Sequence, residues 1–309
     1  MKNHGLDLDD LVIRTPLIPF FSDELNFKSR LYLKPENLQK FGSYKIRGVA
    51  SVIQNTAPSI LRQGLSAASA GNMGQAIAFV AQQLNVPCHI YVPETAPQVK
   101  KERIKKLGAT LIEQPFEEIW RLVRGDIVAP QAGIFIHPVF CDALLAGYET
   151  IANEIIEDLP DVDAIIIPFG VGGLSIAVGR VIHRHNPDIA IYTCEPETAA
   201  PLSASIKLGK PTSIQRTVSF VDAIGSSEVL PHVFQLLSPI LYGSLVVSLK
   251  DIEQALRYLL FNNKLLCEGA AACSLAAALQ IANQNKHHKI ICLLTGGNLS
   301  KDILTQLIT

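Results

Sequence analysis

Short apolar runs of strand length alternate with segments of helical period along almost the whole chain. Leu65–Ser69, His89–Val92, Thr110–Ile112 and Ile134–Ile136 are predicted strands, and Ala164–Pro168, Ile189–Cys194, Ser244–Val247 and Lys289–Leu294 continue the series. Between them lie segments such as Gly74–Leu84, whose Ile77, Val80, Ala81 and Leu84 share one helical face. Further helices are predicted near 143–157, 174–185, 251–262, 269–282 and 300–307. This alternation predicts an α/β fold with mainly parallel sheets covered by helices on both faces. About nine buried strands exceed a typical single core, so the expectation is two doubly wound α/β domains. The Gly125–Gly133 stretch, with Pro130, is the expected seam near the end of the first set.

Composition narrows the class. A chain of 309 residues buries about 75% of its unfolded surface and needs no staples. Charge is balanced, 27 basic against 28 acidic residues, which gives no reason to expect nucleic acid or a membrane as partner. Cys88, Cys141, Cys194, Cys267, Cys273 and Cys292 are scattered without paired or zinc-type spacing, so reduced, mostly buried thiols are expected. Residues 1–10 lack the apolar core of a signal peptide. The longest apolar stretch, Ala164 to Gly179, is broken by Pro168 and four glycines, and falls short of the roughly 20 residues of a spanning helix. A soluble, cytoplasmic protein is the expectation. The eight histidines show no ligand spacing, and His287-His288 sits in a polar loop, so no metal is expected.

Three strand-to-helix junctions carry unusual chemistry, at the position where parallel sheets present free helix N–H groups to ligands. Gly170-Val171-Gly172-Gly173-Leu174 follows a buried strand. Its glycines can curl around an anion, yet Gly170, Gly172 and Glu195 also fit much of a dinucleotide fingerprint, and a plain tight turn is open as well. Ser175, in a blurred nucleophile elbow, falls inside the predicted helix. Ser69-Ala70-Gly71-Asn72 suits a carboxylate, or is an ordinary N-cap made by Ser69 or Asn72. Thr295-Gly296-Gly297-Asn298 could approach a planar ligand edge, or form an αL turn capped by Asn298. Finally, Lys45 stands beside Phe41 and Tyr44 and next to the apolar Val49, Val52 and Ile53. Partial desolvation there would make its amine an imine-forming nucleophile.

Taken together these segments resemble the fold-type II pyridoxal-phosphate enzymes, with the tryptophan synthase β-like fold, and within them the threonine/serine dehydratase and serine racemase branch. Thr15-Pro16-Leu17 and Leu33-Lys34-Pro35-Glu36-Asn37-Leu38-Gln39 resemble that branch's opening segment, and Gly42-Ser43-Tyr44-Lys45-Ile46-Arg47-Gly48 its lysine motif. Ala68–Asn72, Ala96-Pro97, Lys100, Leu107-Gly108-Ala109, the 170–174 loop, Glu195-Pro196, Glu268 and Thr295–Asn298 follow in the family's order. The resemblance implies pyridoxal 5'-phosphate in a cleft between a smaller domain, 44–139, and a larger one, 1–43 plus 140–309. Lys45 would hold it as an imine and shuttle the Cα proton. Gly170, Val171, Gly172, Gly173 and Leu174 would bind the phosphate, Asn72 the ring oxygen, Thr295 the pyridine nitrogen, and Tyr44 would pack near the ring. Ser69, Ala70, Gly71 and Asn72 would receive the substrate carboxylate. The implied activity is an ammonia-lyase that dehydrates threonine or serine to a 2-oxo acid, in a homo-oligomer, expected to be a dimer.

Departures from the motifs fall at Val171, Met73, Phe41 and Ala223. Racemisation is disfavoured because Ala70 offers no acid–base group, and of the racemase-type metal site Glu195 is present while Pro201 stands in place of the downstream carboxylate. Pairing with a basic neighbour or capping a helix is the other expectation for Glu195. β-Replacement, a nicotinamide dehydrogenase and a non-catalytic relative are the other readings. The chain ends soon after Thr295, so no C-terminal effector domain is expected.

Overall fold

The computed structural model describes residues 11–130, 133–284 and 286–308. The segment on which the signal-peptide reading rests, 1–10, and two positions of the expected seam, 131 and 132, lie outside the described residues. Strands are β1 (Ile18–Pro19), β2 (Arg30–Lys34), β3 (Leu65–Ala68), β4 (Cys88–Pro93), β5 (Thr110–Gln114), β6 (Ile134–Phe135), β7 (Ala164–Pro168), β8 (Ala190–Pro196), β9 (Gly243–Val247) and β10 (Lys289–Leu293). Contacts divide the chain into two compact units. One holds Lys45–Tyr148 with residues 11–13; the other holds Arg14–Tyr44 and the chain from Glu149 onward.

In the first unit β5, β4, β3 and β6 form a parallel sheet in that order. The helix Asn72–Leu84 presents Ala76, Ile77, Val80, Ala81 and Leu84 to the interior, all buried. The expected seam is a correction: Gly125, at φ 81°, ends the helix Phe116–Arg124, and the chain leads on into β6 of the same sheet. Glycine there permits the left-handed residue that closes a helix.

The second unit is a six-stranded sheet, β1-β2-β10-β7-β8-β9, parallel except for the β1–β2 pair. Strands β7 (AIIIP) and β8 (AIYTCEP) are buried at every position, as parallel strands covered on both faces must be. The helix Gly269–Ile281 lies against β7, β8 and β10 and is buried almost all round, because its surface is mostly alanine. The doubly wound α/β class is therefore what the structure has.

Two strands, β1 and β2, escaped the pattern reading. β2 opens on Arg30 and closes on Lys34, and those charges disguise a central strand. Lys34 is nonetheless fully buried, donating to Thr15 O at 2.7 Å and to Glu154 Oε2 at 2.6 Å. The predicted helix 251–262 also changes register: Leu249–Arg257 is α-helical, and Tyr258–Asn262 forms a π turn closed by Asn263 N donating to Tyr258 O at 3.1 Å. Five cysteines are buried and Cys141 is half-buried, all as free thiols. Among the described residues no helix is long and apolar enough to cross a membrane.

Candidate active site

In the second unit, β7 runs into the loop 169–172 and then the helix Gly173–His185. The first N–H groups of that helix, from Gly173 and Leu174, have no acceptor within the helix and sit at its positive end. Gly172 is its N-cap, at φ 102° with no capping side chain. A Cβ on Gly172 would stand 2.4 Å from Val233 Cγ1, so conformation and space both demand glycine. Gly170 O accepts from Ser226 Oγ at 3.2 Å, and Ile224 and Ala223 border the same residue. Among the described residues only Phe41, Asn85 and Lys264 combine a side chain with positive φ. Val171 therefore stands in the loop without the strain its departure from glycine would otherwise bring.

The loop after β10 is joined to the segment that precedes Lys45. Ser43 and Gly296 form an antiparallel bridge, Tyr44 N donates to Thr295 O at 3.2 Å, and Gly297 N donates to Gly42 O at 2.8 Å. Asn298 Nδ2 donates to Phe41 O at 2.8 Å. Neither Gly296 nor Gly297 has positive φ, so the αL turn is ruled out, and the Asn298 amide serves the neighbouring segment. Phe41 and Gly42 take consecutive left-handed conformations, φ 64° and 65°. For a phenylalanine this costs roughly 1–2 kcal/mol, which the bonds from Asn298 and Gly297 offset. The linear pattern of the chain gave no sign of this pairing.

Thr295 is buried, and its Oγ1 has no hydrogen-bond partner. A buried hydroxyl left unsatisfied costs about 1–3 kcal/mol, and a pyridine nitrogen is one group that would satisfy it. With the glycine loop and its helix N–H groups in the same unit, the residues present fit pyridoxal phosphate.

In the first unit, Lys45 opens the helix Lys45–Gln54, whose Ile46, Val49, Val52 and Ile53 are buried. Lys45 is half-buried, with Nζ 5.6 Å from the ring centroid of Tyr148. In the same unit, β3 leads through Ser69–Gly71 into the helix Asn72–Leu84. Gly71 is the N-cap and no side chain caps the helix; the N-cap reading of Ser69 or Asn72 is thereby excluded. Ser69 Oγ instead accepts from Gly71 N at 3.2 Å, and Ser69 N donates to Tyr91 O at 3.0 Å. Ala70 lies in the turn so held, and Asn72 is the first helical residue. Gly74 is a residue sequence reasoning passed over: a Cβ there would stand 2.2 Å from Ser69 O, so its absence lets the loop fold onto the helix. A glycine in the first turn of an otherwise good helix is the available signal.

Glu195, at the end of β8, is fully buried. Its Oε1 accepts from Leu202 N at 2.9 Å, and its Oε2 from Ser203 N at 2.8 Å and Ser244 Oγ at 2.9 Å. Both oxygens thus hold the start of the helix Pro201–Leu208, which argues against the ribose contact of a dinucleotide site. Among the described residues, no group of three or more His, Cys, Asp or Glu could hold a metal ion. Burial pushes the Glu195 carboxyl up from 4.5 to about 7, against the opposing pull of its three donors. The folded state keeps a proton that the unfolded chain loses above about 4.5, so this group's contribution to stability falls as pH rises to about 7. The expected size is about 3 kcal/mol. Glu195→Gln should flatten that part of the profile, read as urea midpoints at pH 5 and pH 7. Equal slopes in wild type and variant would refute the assignment.

Residues 8–296 match the family described as "Pyridoxal-phosphate dependent enzyme". The L-threonine ammonia-lyase of Thermotoga maritima is 32% identical over 280 residues, 90% of this chain and 69% of that enzyme. The catabolic L-threonine dehydratase of Staphylococcus aureus is 31% identical over 295 residues, 93% of this chain and 84% of that enzyme. Maize serine racemase superposes with a TM-score of 0.86 at 27% identity, covering 97% of this chain and 93% of that one. The processed threonine deaminase isoform 2 of Solanum lycopersicum gives 0.81 at 26%, covering 97% and 88%. Matched along nearly its whole length, the chain belongs to the pyridoxal-phosphate-dependent enzymes of fold type II.

Proposed function

We propose that this protein is an ammonia-lyase that converts L-threonine to 2-oxobutyrate, or L-serine to pyruvate, with release of ammonia. The observation that carries this reading is the buried, unpartnered hydroxyl of Thr295. An alcohol is too weak an acid to keep a pyridine nitrogen protonated, whereas a carboxylate partner would do so, and the hydrogen bond to the ring nitrogen tunes its electronics. A less protonated ring withdraws charge from Cα less completely, which favours expulsion of a β-hydroxyl. The names of the relatives point the same way.

Bound pyridoxal phosphate supplies an electron sink that makes the substrate's Cα proton removable. Lys45 would hold the cofactor through its Nζ amine, and the same amine, once free, would take the substrate's Cα proton. The N–H groups of 170–174 would hold the phosphate, Asn72 would orient the ring oxygen, and Tyr44 would pack near the ring. The Ser69–Asn72 turn receives the substrate carboxylate. The β-hydroxyl departs as water, a water molecule later hydrolyses the released product, and the net change is loss of ammonia. Racemisation is the second reading, favoured by the likeness to maize serine racemase, but Ala70 has no group with which to return a proton to the opposite face. A homodimer in the cytoplasm completes the proposal, supported by the resemblance and by the free thiols.

Incubation with a panel of β-hydroxy amino acids tests it. Threonine and serine should give equimolar 2-oxo acid and ammonia, detected as the hydrazone and by coupled assay. A panel that yields only inverted substrate, or only β-substituted products, overturns the lyase reading.

A further inference from the structure

Within the first unit, the helices Lys45–Gln54 and Asn72–Leu84 meet the first turns of the helix Asp142–Asp158 around one ring. Tyr148 is fully buried, its hydroxyl donates to Met73 Sδ at 3.9 Å, and Lys45 Nζ lies 5.6 Å from its centroid. Met73 is the second residue of the helix that Asn72 begins. Two glycines make room for this arrangement. A Cβ on Gly48 would stand 2.5 Å from Tyr148 Cε1 and 2.6 Å from Leu144 Cδ1, and one on Gly147 would stand 2.3 Å from Arg47 O. The helices can therefore approach backbone to backbone, and the ring fits beside the first turn of the Lys45 helix.

We infer that Tyr148 is a positioning residue: its ring sets where Lys45 presents its amine, and its hydroxyl, held on Met73, fixes the ring beside the Asn72 turn. The inference rests on the reading of Lys45 as the imine-forming amine. A lysine side chain has four rotatable bonds, and most of its rotamers point away from any one target. A rigid aromatic face removes those that cross it and so narrows where the amine can stand. The thioether is a soft, weak acceptor that tolerates the phenol without demanding a proton from it. Amine placement then limits how fast the imine forms, because misplacement by about 1 Å can cost about a hundredfold.

The test uses the cofactor-free protein and follows the imine band after addition of pyridoxal phosphate. Pyridoxamine phosphate, which lacks the aldehyde, reports the binding site without the lysine reaction. Tyr148→Leu should slow imine formation about tenfold while its pyridoxamine phosphate affinity and circular dichroism match wild type. Tyr148→Phe, which keeps the ring, should recover the rate to within about twofold. If Tyr148→Leu forms the imine at the wild-type rate, or loses pyridoxamine phosphate affinity to the same extent as rate, the positioning role is wrong and Tyr148 only packs. If wild type shows no band, or Lys45→Ala still shows it, the Lys45 assignment fails first and this inference falls with it. The two failures are distinct because one is seen at residue 148 and the other at residue 45.

Discussion

Lys45→Ala should yield a folded protein without the imine absorbance and with 2-oxo acid release lowered by at least about a thousandfold. The magnitude follows from removing one group with two jobs, nucleophile and proton carrier, where proton transfer alone contributes about 10²–10⁴. Folding should survive. Lys45 is the first residue of its helix and only half-buried, and alanine is the best helix former. Borohydride reduction followed by peptide mapping gives the complementary readout, since the wild type should carry the reduced cofactor on the peptide containing Lys45. Label found on another lysine, or a variant that still turns over at a tenth of the wild-type rate, would remove the amine from the mechanism.

The second large effect is expected at Gly172. Alanine there meets two penalties at once, a backbone at φ 102° and a methyl carbon 2.4 Å from Val233 Cγ1. Overpacking of this kind costs about 1–3 kcal/mol, and the loop can relieve it only by drawing away from Val233. That movement displaces the N–H groups at the start of the helix Gly173–His185 from any anion they hold. Each hydrogen bond to a charged group is worth about 1.5–3 kcal/mol, so loss of one or two should weaken pyridoxal phosphate binding on the order of a hundredfold. Gly170→Ala is the control. Its added carbon would meet nothing closer than 3.6 Å and its φ is ordinary, so affinity should change less than about fivefold. Titration of cofactor-free protein by absorbance or fluorescence quenching separates the two variants. Equal affinities would mean the loop does not hold the phosphate.

Much of the fold is legible in the amino-acid sequence. The eight predicted strands correspond to β3–β10, and the clearest are those buried on both faces, which appear as unbroken apolar runs such as Ile165-Ile166-Ile167. A buried charge hides β2. Lys34 looks like the end of a surface segment until Glu154, 120 residues away, supplies its partner. Glu195 fits a ligand-binding carboxylate or a helix cap in the sequence, and the amides of Leu202 and Ser203 decide for the cap. Pairing across long sequence distance cannot be seen in local pattern, and it decides whether a charge belongs to a core, a cap or a site.

The site motifs are legible individually, yet their connections are not. That Asn298 reaches Phe41, and that Thr295 and Gly296 bond the strand-like segment 43–44, follows from register between distant parts of the chain. Tyr148 escapes notice for another reason. On a helix of mixed composition an aromatic residue looks like ordinary core, and only its distance to Lys45 and Met73 gives it meaning.

The contact of Gly48 with Tyr148 couples two positions a hundred residues apart in the sequence. Any heavy atom gained at 48 would have to displace the phenol, so bulk at one site trades against bulk at the other. Among homologous sequences a side chain at 48 should appear only with a smaller residue at 148, whereas 148 can change beside an unaltered glycine.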